Sequence, residues 1–316
     1  EQMLVPSAFR DHVLREHMGS LQHNKTIVVP GPNIKSVVCG STNLSWRGFF
    51  VQNNNAVILT GAKPVKVFSD AFDNFWDHSK VADFGVTGSA KWNDLGLNGV
   101  TAKVAFSPHI DLNAQLQTVA DDISLKASSS VLYSLAFLYE TPGAVHDAVK
   151  QVTNDKNLFV YGISDKKAGG IWLKKADVAN PAPVDPSNLG LKNLPEPFRS
   201  EPTGGGGTRM HHKFVVIDFD KPTARVYLGS YNFSVPADLK NGENLLLIKD
   251  RRIATSYMIE AVRIFDHYEF RIAQAEAKKV KKKLELALPG TLSGNKPWWN
   301  EDFTMPRKIR DRQIFS

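Results

Sequence analysis

Short runs of consecutive apolar residues recur along the chain, separated by polar and glycine-containing stretches. Ile27-Val28-Val29, Val37-Val38-Cys39 and Val57-Ile58-Leu59 form one set. Phe214-Val215-Val216-Ile217, Val226-Tyr227-Leu228 and Leu245-Leu246-Leu247-Ile248 form another. Runs this short and this continuous predict strands of a sheet covered on both faces. Beyond the second set, Tyr257, Ala261, Ile264 and Tyr268 fall at helical spacing and predict an amphipathic helix. Between the sets, residues 103–106 and 158–161 read as strands, and 113–123 and 142–152 as helices. Residues 131–138 read as a strand or as the start of a buried helix. The alternation argues for an α/β protein.

The two sets belong to an internal repeat. His23-Asn24-Lys25 precedes the first run of one set, and His211-His212-Lys213 that of the other. The second runs lead into Gly40-Ser41-Thr42-Asn43 and Gly229-Ser230-Tyr231-Asn232. Asn54 and Glu243 follow their serines at the same interval, each just before the third run. Trp76-Asp77-His78 and Phe265-Asp266-His267 match again further on. Four features in one register are not a chance pairing, and each copy reads as strand, turn, strand, loop, strand, helix.

Residues 180–207 are rich in proline and glycine and end in Gly204-Gly205-Gly206-Gly207, a loop beside the second motif or a linker. In the tail, Trp298-Trp299 are candidates for stapling it to the body. The organisation expected is a first half over residues 1–100, a second over 101–288 and a tail over 289–316 packing on the body. The second motif follows a long α/β stretch but the first only 22 residues, as expected of a fragment or a processed chain.

Composition narrows the function. With 42% hydrophobic residues among 316, the chain can bury a large core. The single cysteine, Cys39, excludes an internal disulfide and a multi-cysteine zinc site, and its apolar run predicts burial. No run has the length of a membrane helix, which leaves peripheral membrane contact open. The absence of a signal-peptide pattern does not separate a cytoplasmic from a secreted location. A net charge of +7 suits an anionic partner as well as it suits solubility. The lysine run from Lys278 to Lys283 would grip phosphates or cover a helix C-terminus.

The repeated residues form a chemical set. Cleaving a phosphodiester requires a nucleophile at phosphorus, an acid for the leaving oxygen, and charge around the non-bridging oxygens. Two histidines can fill the first two roles near neutral pH. Two lysines and two asparagines supply charge and neutral donors. On a strand, residues two apart share a face, so each His-x-Lys pair points one way. His23, Lys25, His211 and Lys213 would then surround one phosphate, with Asn43 and Asn232 beside them. By the same alternation His212 faces away, and His78 and His267 read as packing or capping groups of helices.

His211-x-Lys213 with Asp218, Gly229-Ser230-x-Asn232 and Glu243 resembles the HKD motif of the phospholipase D superfamily, in its bacterial phospholipase D-like branch. The first copy matches at His23, Lys25, Ser41 and Asn43. It departs at Pro30, where the motif has aspartate, and at Asn54, opposite Glu243. The resemblance implies two pseudo-symmetric α-β-α halves, each with a mixed β-sheet, and one active site at their interface. It implies metal-free, cofactor-free hydrolysis or transphosphatidylation. His23 would be the nucleophile and His211 the acid, with Ser41 and Ser230 supporting the phosphate. Glu243 would orient His23, Asn54 would orient His211, and Asp218 belongs to the same orienting set. Three functions follow: phospholipid hydrolysis, DNA or RNA cleavage, or binding by a degenerate member. A lipid enzyme predicts apolar residues at the cleft mouth, and a nuclease predicts an extended basic groove.

Overall fold

The computed structural model describes residues 17, 19–138, 142–165, 208, 210–281, 296–297 and 299–316, except for the side chains of 268–276 and 278–279. The first repeat copy forms strands β1 (Thr26–Pro30) and β2 (Lys35–Gly40), helix α1 (Trp46–Phe50), strand β3 (Ala56–Thr60) and helix α2 (Ala62–Asp77). Helix α3 (Val81–Gly85) and strands β4 (Asn93–Asp94) and β5 (Thr101–Ser107) follow. Then come α4 (Leu116–Ser124), β6 (Ser130–Leu135), α5 (Ala144–Thr153) and β7 (Phe159–Ile163). The second copy repeats the first as β8 (Lys213–Ile217), β9 (Arg225–Gly229), α6 (Val235–Leu239), β10 (Glu243–Lys249) and α7 (Arg251–Lys279). Helices α8 (Asn300–Thr304) and α9 (Pro306–Ile314) close the chain. Residues 130–135 are thus a strand, which resolves the ambiguity at 131–138.

Each repeat copy builds three antiparallel strands in sequence order, β1-β2-β3 and β8-β9-β10. Their surroundings differ. β5 pairs with the free edge of β10, and β6 with that of β8. With the parallel pair β6–β7 this makes a mixed seven-stranded sheet, ordered β4-β5-β10-β9-β8-β6-β7. The three-stranded sheet is antiparallel throughout, so the mixed sheet expected of each half exists among the described residues only in the second.

Period-two alternation divides the seven-stranded sheet between two cores. Val215, Ile217, Tyr227 and Leu247 pack against Val119, Val145 and Val149 of α4 and α5. Phe214, Val216, Val226 and Leu228 pack on the other face with Ala254, Met258 and Ala261 of α7. That second core also holds Val37, Cys39 and Leu59 of β2 and β3 and Val65, Phe68 and Phe75 of α2, so the two sheets share one apolar interior. The expectation of strands covered on both faces fails for the first copy. Ile27 is 45% and Ile58 71% exposed, whereas Val215 and Leu247 at the matching positions are buried beneath α4 and α5.

The tail reaches the body through Phe315, whose ring meets Phe159 and Phe219 at 5.2 and 5.4 Å. Trp299 is exposed, and its ring contact among the described rings is with Phe303 of the tail itself. Trp298, residues 180–207, Lys282 and Lys283, and the side chains of Lys278 and Lys279 lie outside the described residues. No helix of the described residues is long and apolar enough to cross a membrane.

Candidate active site

The two motif histidines are brought together by an exchange between the repeat copies. The His23 amide donates to the Gly242 carbonyl at 2.7 Å, and the His211 amide to the Asn53 carbonyl at 3.0 Å. Gly242 and Asn53 immediately precede Glu243 and Asn54. Each histidine therefore lies just ahead of its strand, alongside the residue of the other copy expected to orient it. Two short parallel bridges, Gln22 with Gly242 and Asn53 with Met210, carry this pairing.

The side chains follow the backbone. His23 Nδ1 stands 3.1 Å from Glu243 Oε2, a close approach short of an aligned hydrogen bond. His211 Nδ1 stands 2.8 Å from Asn54 Oδ1 and 3.0 Å from the Ser41 carbonyl. The Asn54 amide nitrogen donates to the Gly48 carbonyl at 2.9 Å, which turns its oxygen toward the imidazole. Both neighbours of Nδ1 are acceptors, so Nδ1 carries the proton of the neutral ring and Nε2 is left as the acceptor.

The lysines repeat this correspondence. Lys25 Nζ donates to the His23 carbonyl at 2.7 Å, and Lys213 Nζ to the His211 carbonyl at 3.0 Å. Lys213 Nζ is also 3.1 Å from His211 Nε2. Burial lowers Lys25 to about 8, against the opposing pull of the Glu243 carboxylate. Burial, with Lys25 nearby, holds Lys213 well below the usual lysine range. His211 is driven down to about 2, first by burial and then by the charges of Lys213, Lys25 and His23. That Lys25 and His23 act on His211 at all shows the two motifs converging in one electrostatic environment.

The turn glycines and serines brace the constellation. A Cβ on Gly229 would lie 2.2 Å from the Asn244 carbonyl oxygen, and one on Gly40 2.3 Å from that of Asn55, so only glycine admits the following strand. The Ser41 hydroxyl donates to Asn55 Oδ1 at 2.8 Å and accepts from the Asn55 amide at 3.0 Å; Ser230 Oγ accepts from the Asn244 amide at 3.0 Å. Both serines are fully buried and tied to the next strand, which differs from the phosphate contact expected of them. Asn43 Nδ2 makes one long contact, 3.4 Å to Gln52 Oε1. Asn232 Oδ1 is buried with no hydrogen-bond partner among the described residues.

Asp218 does not join them. It sits at the far end of β8, accepting from the amides of Ser128, Ser129 and Ser130 and from the Ser128 and Ser129 hydroxyls. Arg225 lies 3.7 Å away. Its carboxylate anchors the start of β6, which explains how the first copy accepts Pro30 there. His212 faces away, with Nε2 at 3.4 Å from Glu260. The His78 amide caps the end of α2.

Several residues were not singled out from sequence. Asn55 and Asn244 occupy one repeat position and reach across the copies, to the Tyr257 hydroxyl at 2.9 Å and to Asn24 Oδ1 at 2.8 Å. Their shared identity was the available signal. Phe137 walls the site: its ring meets that of His211 edge-on at 6.1 Å and lies 5.5 Å from Lys213 Nζ. His109 and Asp238 form a buried pair at 2.6 Å that ties α6 to the start of α4. No repeat signal marks Phe137 or His109.

The model of the family described as "Cardiolipin synthase, PLD-like domain" matches residues 125–264, which span the second copy. A phospholipase D of Rickettsia prowazekii is 48% identical over 48 residues, 15% of this chain and 22% of that protein. A mitochondrial cardiolipin hydrolase of Xenopus tropicalis is 40% identical over 60 residues, 19% of this chain and 27% of that protein. The chain thus matches between a fifth and a third of the length of these relatives. Among solved structures, the phospholipase D family member Nuc of Salmonella typhimurium aligns with 55% of this chain and 95% of its own, at 18% identity and a TM-score of 0.31. Phosphatidylserine synthase of Haemophilus influenzae aligns over 80% of this chain and 62% of its own, at 14% identity and a TM-score of 0.48. Its PLD-like domain over residues 125–264 and its repeated His-x-Lys and Gly-Ser-x-Asn segments make the chain similar to members of the phospholipase D superfamily.

Proposed function

We propose that this protein is a metal-independent phosphodiesterase working through a phosphohistidine, and that its substrates are phospholipids. The observation that carries the reading is the reciprocal exchange of orienting groups, Glu243 to His23 and Asn54 to His211, around the buried Lys213 and the half-buried Lys25. His23 Nε2 attacks phosphorus while the ester oxygen of the leaving group departs, taking a proton from His211 Nε2. The Glu243 carboxylate supports the positive charge that develops on His23 as its P–N bond forms. Lys25, Lys213, Asn43 and Asn232 hold the non-bridging oxygens. Neutral His211 then removes a proton from water, whose oxygen attacks phosphorus and breaks the P–N bond, releasing the phosphomonoester. An alcohol in place of water would give transphosphatidylation.

The two histidines suit different roles. Only His23 faces a carboxylate, which favours a nucleophile that becomes cationic. His211 faces a neutral amide and two lysines, so its imidazolium is a strong acid, and the incoming phosphate charge offsets the repulsion that opposes its protonation. A nuclease would use the same groups; the net charge of +7 favours that second reading as much as it favours anionic lipid.

The test is turnover of a soluble diester, bis(p-nitrophenyl) phosphate, in EDTA. His23→Ala and His211→Ala should each lose more than about a hundredfold in kcat, and His212→Ala should keep most of it. Mass spectrometry of acid-labile adducts in His211→Ala should find phosphate on His23. Activity that disappears in EDTA, or an adduct on His211 in His23→Ala, overturns the mechanism as drawn.

A further inference from the structure

Helix α1 begins three residues after Asn43, and its side of the site is strongly apolar. Ser45 caps it by accepting from the Gly48 amide at 3.2 Å, and Asn54 donates to the Gly48 carbonyl. The chain of contacts from α1 to His211 is therefore one residue long. On this helix Trp46 is 65% and Phe50 76% exposed, with ring centroids 6.2 Å apart. Among the described residues the Trp46 and Phe50 rings meet only aromatic rings of α1 itself, and exposed apolar side chains grouped in this way mark an interaction surface.

The second repeat copy indicates which of these exposures belong to the site. Phe49 matches Asp238, which is buried beneath His109 and the start of α4, so its exposure is not shared by the second copy. Trp46 matches Val235, which is itself 44% exposed, and Phe50 matches Leu239, which is half-buried at the end of α6. In both copies the first residue of this helix is thus an apolar side chain left at the surface beside a phosphate-facing asparagine.

We infer that Trp46 and Phe50, with Val235 on the other copy, form an interfacial anchor that seats the site on a phospholipid bilayer. The occupant is argued from three observations. Trp46 follows Asn43 by three residues and Val235 follows Asn232 by three, so in both copies the apolar side chain comes just after an asparagine of the candidate phosphate site, where a headgroup phosphodiester has to arrive. It mixes tryptophan and phenylalanine with the aliphatic Val235 and Pro236, the composition that enters the headgroup and acyl boundary. The exposed Lys240 just beyond α6 and the net charge of +7 complement anionic headgroups. A single-stranded nucleic acid would use aromatic faces too, but it needs a basic track along its backbone, and the Val235-Pro236 side offers no ring face for a base.

This inference deepens the phosphodiesterase reading and rests on it for the position of the phosphate, so the experiment separates the two. Wild type, the Trp46→Ser and Phe50→Ser variants and the double variant are compared in four assays. These are turnover of bis(p-nitrophenyl) phosphate, co-sedimentation with phosphatidylcholine–phosphatidylglycerol vesicles, headgroup release from those vesicles, and binding of single-stranded DNA. The double variant should keep wild-type turnover of the soluble diester and lose roughly tenfold or more in vesicle binding and headgroup release. The single variants, each at an exposed position, should show smaller losses in the same direction. Vesicle binding unchanged in the double variant, or absent in wild type, overturns the anchor. Loss of DNA binding with vesicle binding untouched reassigns the patch to base stacking and overturns it as well. Failure of wild type on the soluble diester sinks the phosphodiesterase reading, whatever sedimentation shows.

Discussion

His211 and Asn54 belong to different copies of the repeat, yet Nδ1 of one lies 2.8 Å from Oδ1 of the other. The matching contact in the first copy, His23 to Glu243, is made to a carboxylate at 3.1 Å. One difference in side-chain chemistry, amide against acid, therefore distinguishes two otherwise corresponding imidazoles. With no carboxylate beside it, His211 is left to burial and to its cationic neighbours, which lower it to about 2.

Asn54→Glu should reverse that asymmetry. A carboxylate within reach of Nδ1 favours the imidazolium, so the His211 pKa rises, by roughly 1–3 units for a close ion pair. An acid that must hold its proton is lost as pH climbs past its pKa. The alkaline fall of kcat/KM should accordingly move to higher pH in the variant. The substitution also removes the donor to the Gly48 carbonyl, at about 1–3 kcal/mol of stability. A pH–rate profile on the soluble diester, with thermal unfolding alongside, measures both; an unmoved profile would show that Asn54 does not govern His211.

Lys25 sets a second limb. Its ammonium, lowered to about 8 by burial, sheds its proton at the mildly alkaline end of the working range. The positive charge that Lys25 offers the phosphate oxygens then falls as pH passes about 8, so KM for an anionic diester should rise there. Lys25→Met should bind diester weakly at all pH values and abolish that rise. The same depressed value has a stability consequence. The unfolded lysine titrates near 10.5 and the folded one near 8, so between these the unfolded state binds more protons and stability increases with pH.

Gly48 holds α1 against the site. A Cβ there would meet the Asn43 carbonyl oxygen at 1.9 Å, so Gly48→Ala must push apart the two asparagine-bearing segments. We expect a loss of about 1–3 kcal/mol, the usual cost of overpacking, together with a drop in kcat as Asn43 and Asn54 shift. Gly88→Ala is the control: nothing lies within 4 Å of its added Cβ, and both stability and turnover should stay near wild type. Equal effects from the two glycines would sink the positional argument.

Asp218 is expected to support the fold and not the reaction. Asp218→Ala strands the amide donors of Ser128, Ser129 and Ser130 and leaves Arg225 without one of its carboxylates. A loss of about 3 kcal/mol or more is expected for such a buried charged acceptor, with kcat unchanged below the unfolding transition. A kcat that collapses while the melting temperature holds would return Asp218 to the catalytic set.

Much of this was legible in the residues because its causes are local. Apolar runs bounded by glycine and asparagine named the six repeat strands, since a strand's side-chain period is a property of its own backbone. The helix expected over residues 113–123 became a tight turn followed by α4 (Leu116–Ser124), and the one expected over 142–152 became α5 (Ala144–Thr153). Element ends depend on capping and packing that propensity alone does not resolve.

By itself, then, the sequence determined the repeat, the strand faces and the identity of the residues bearing nitrogen and charge: His23, Lys25, His211 and Lys213. Tertiary structure alone decided that β5 and β6 flank the second copy, that Ile27 and Ile58 stay uncovered, and that Ser41 and Ser230 are tied to Asn55 and Asn244. It also brought Phe137 to the imidazole and took Asp218 away from it. The reason is range: pleating and turn chemistry act over a few residues, whereas strand order, burial and the pKa of a buried group are set by segments far apart in sequence that meet only when the core closes.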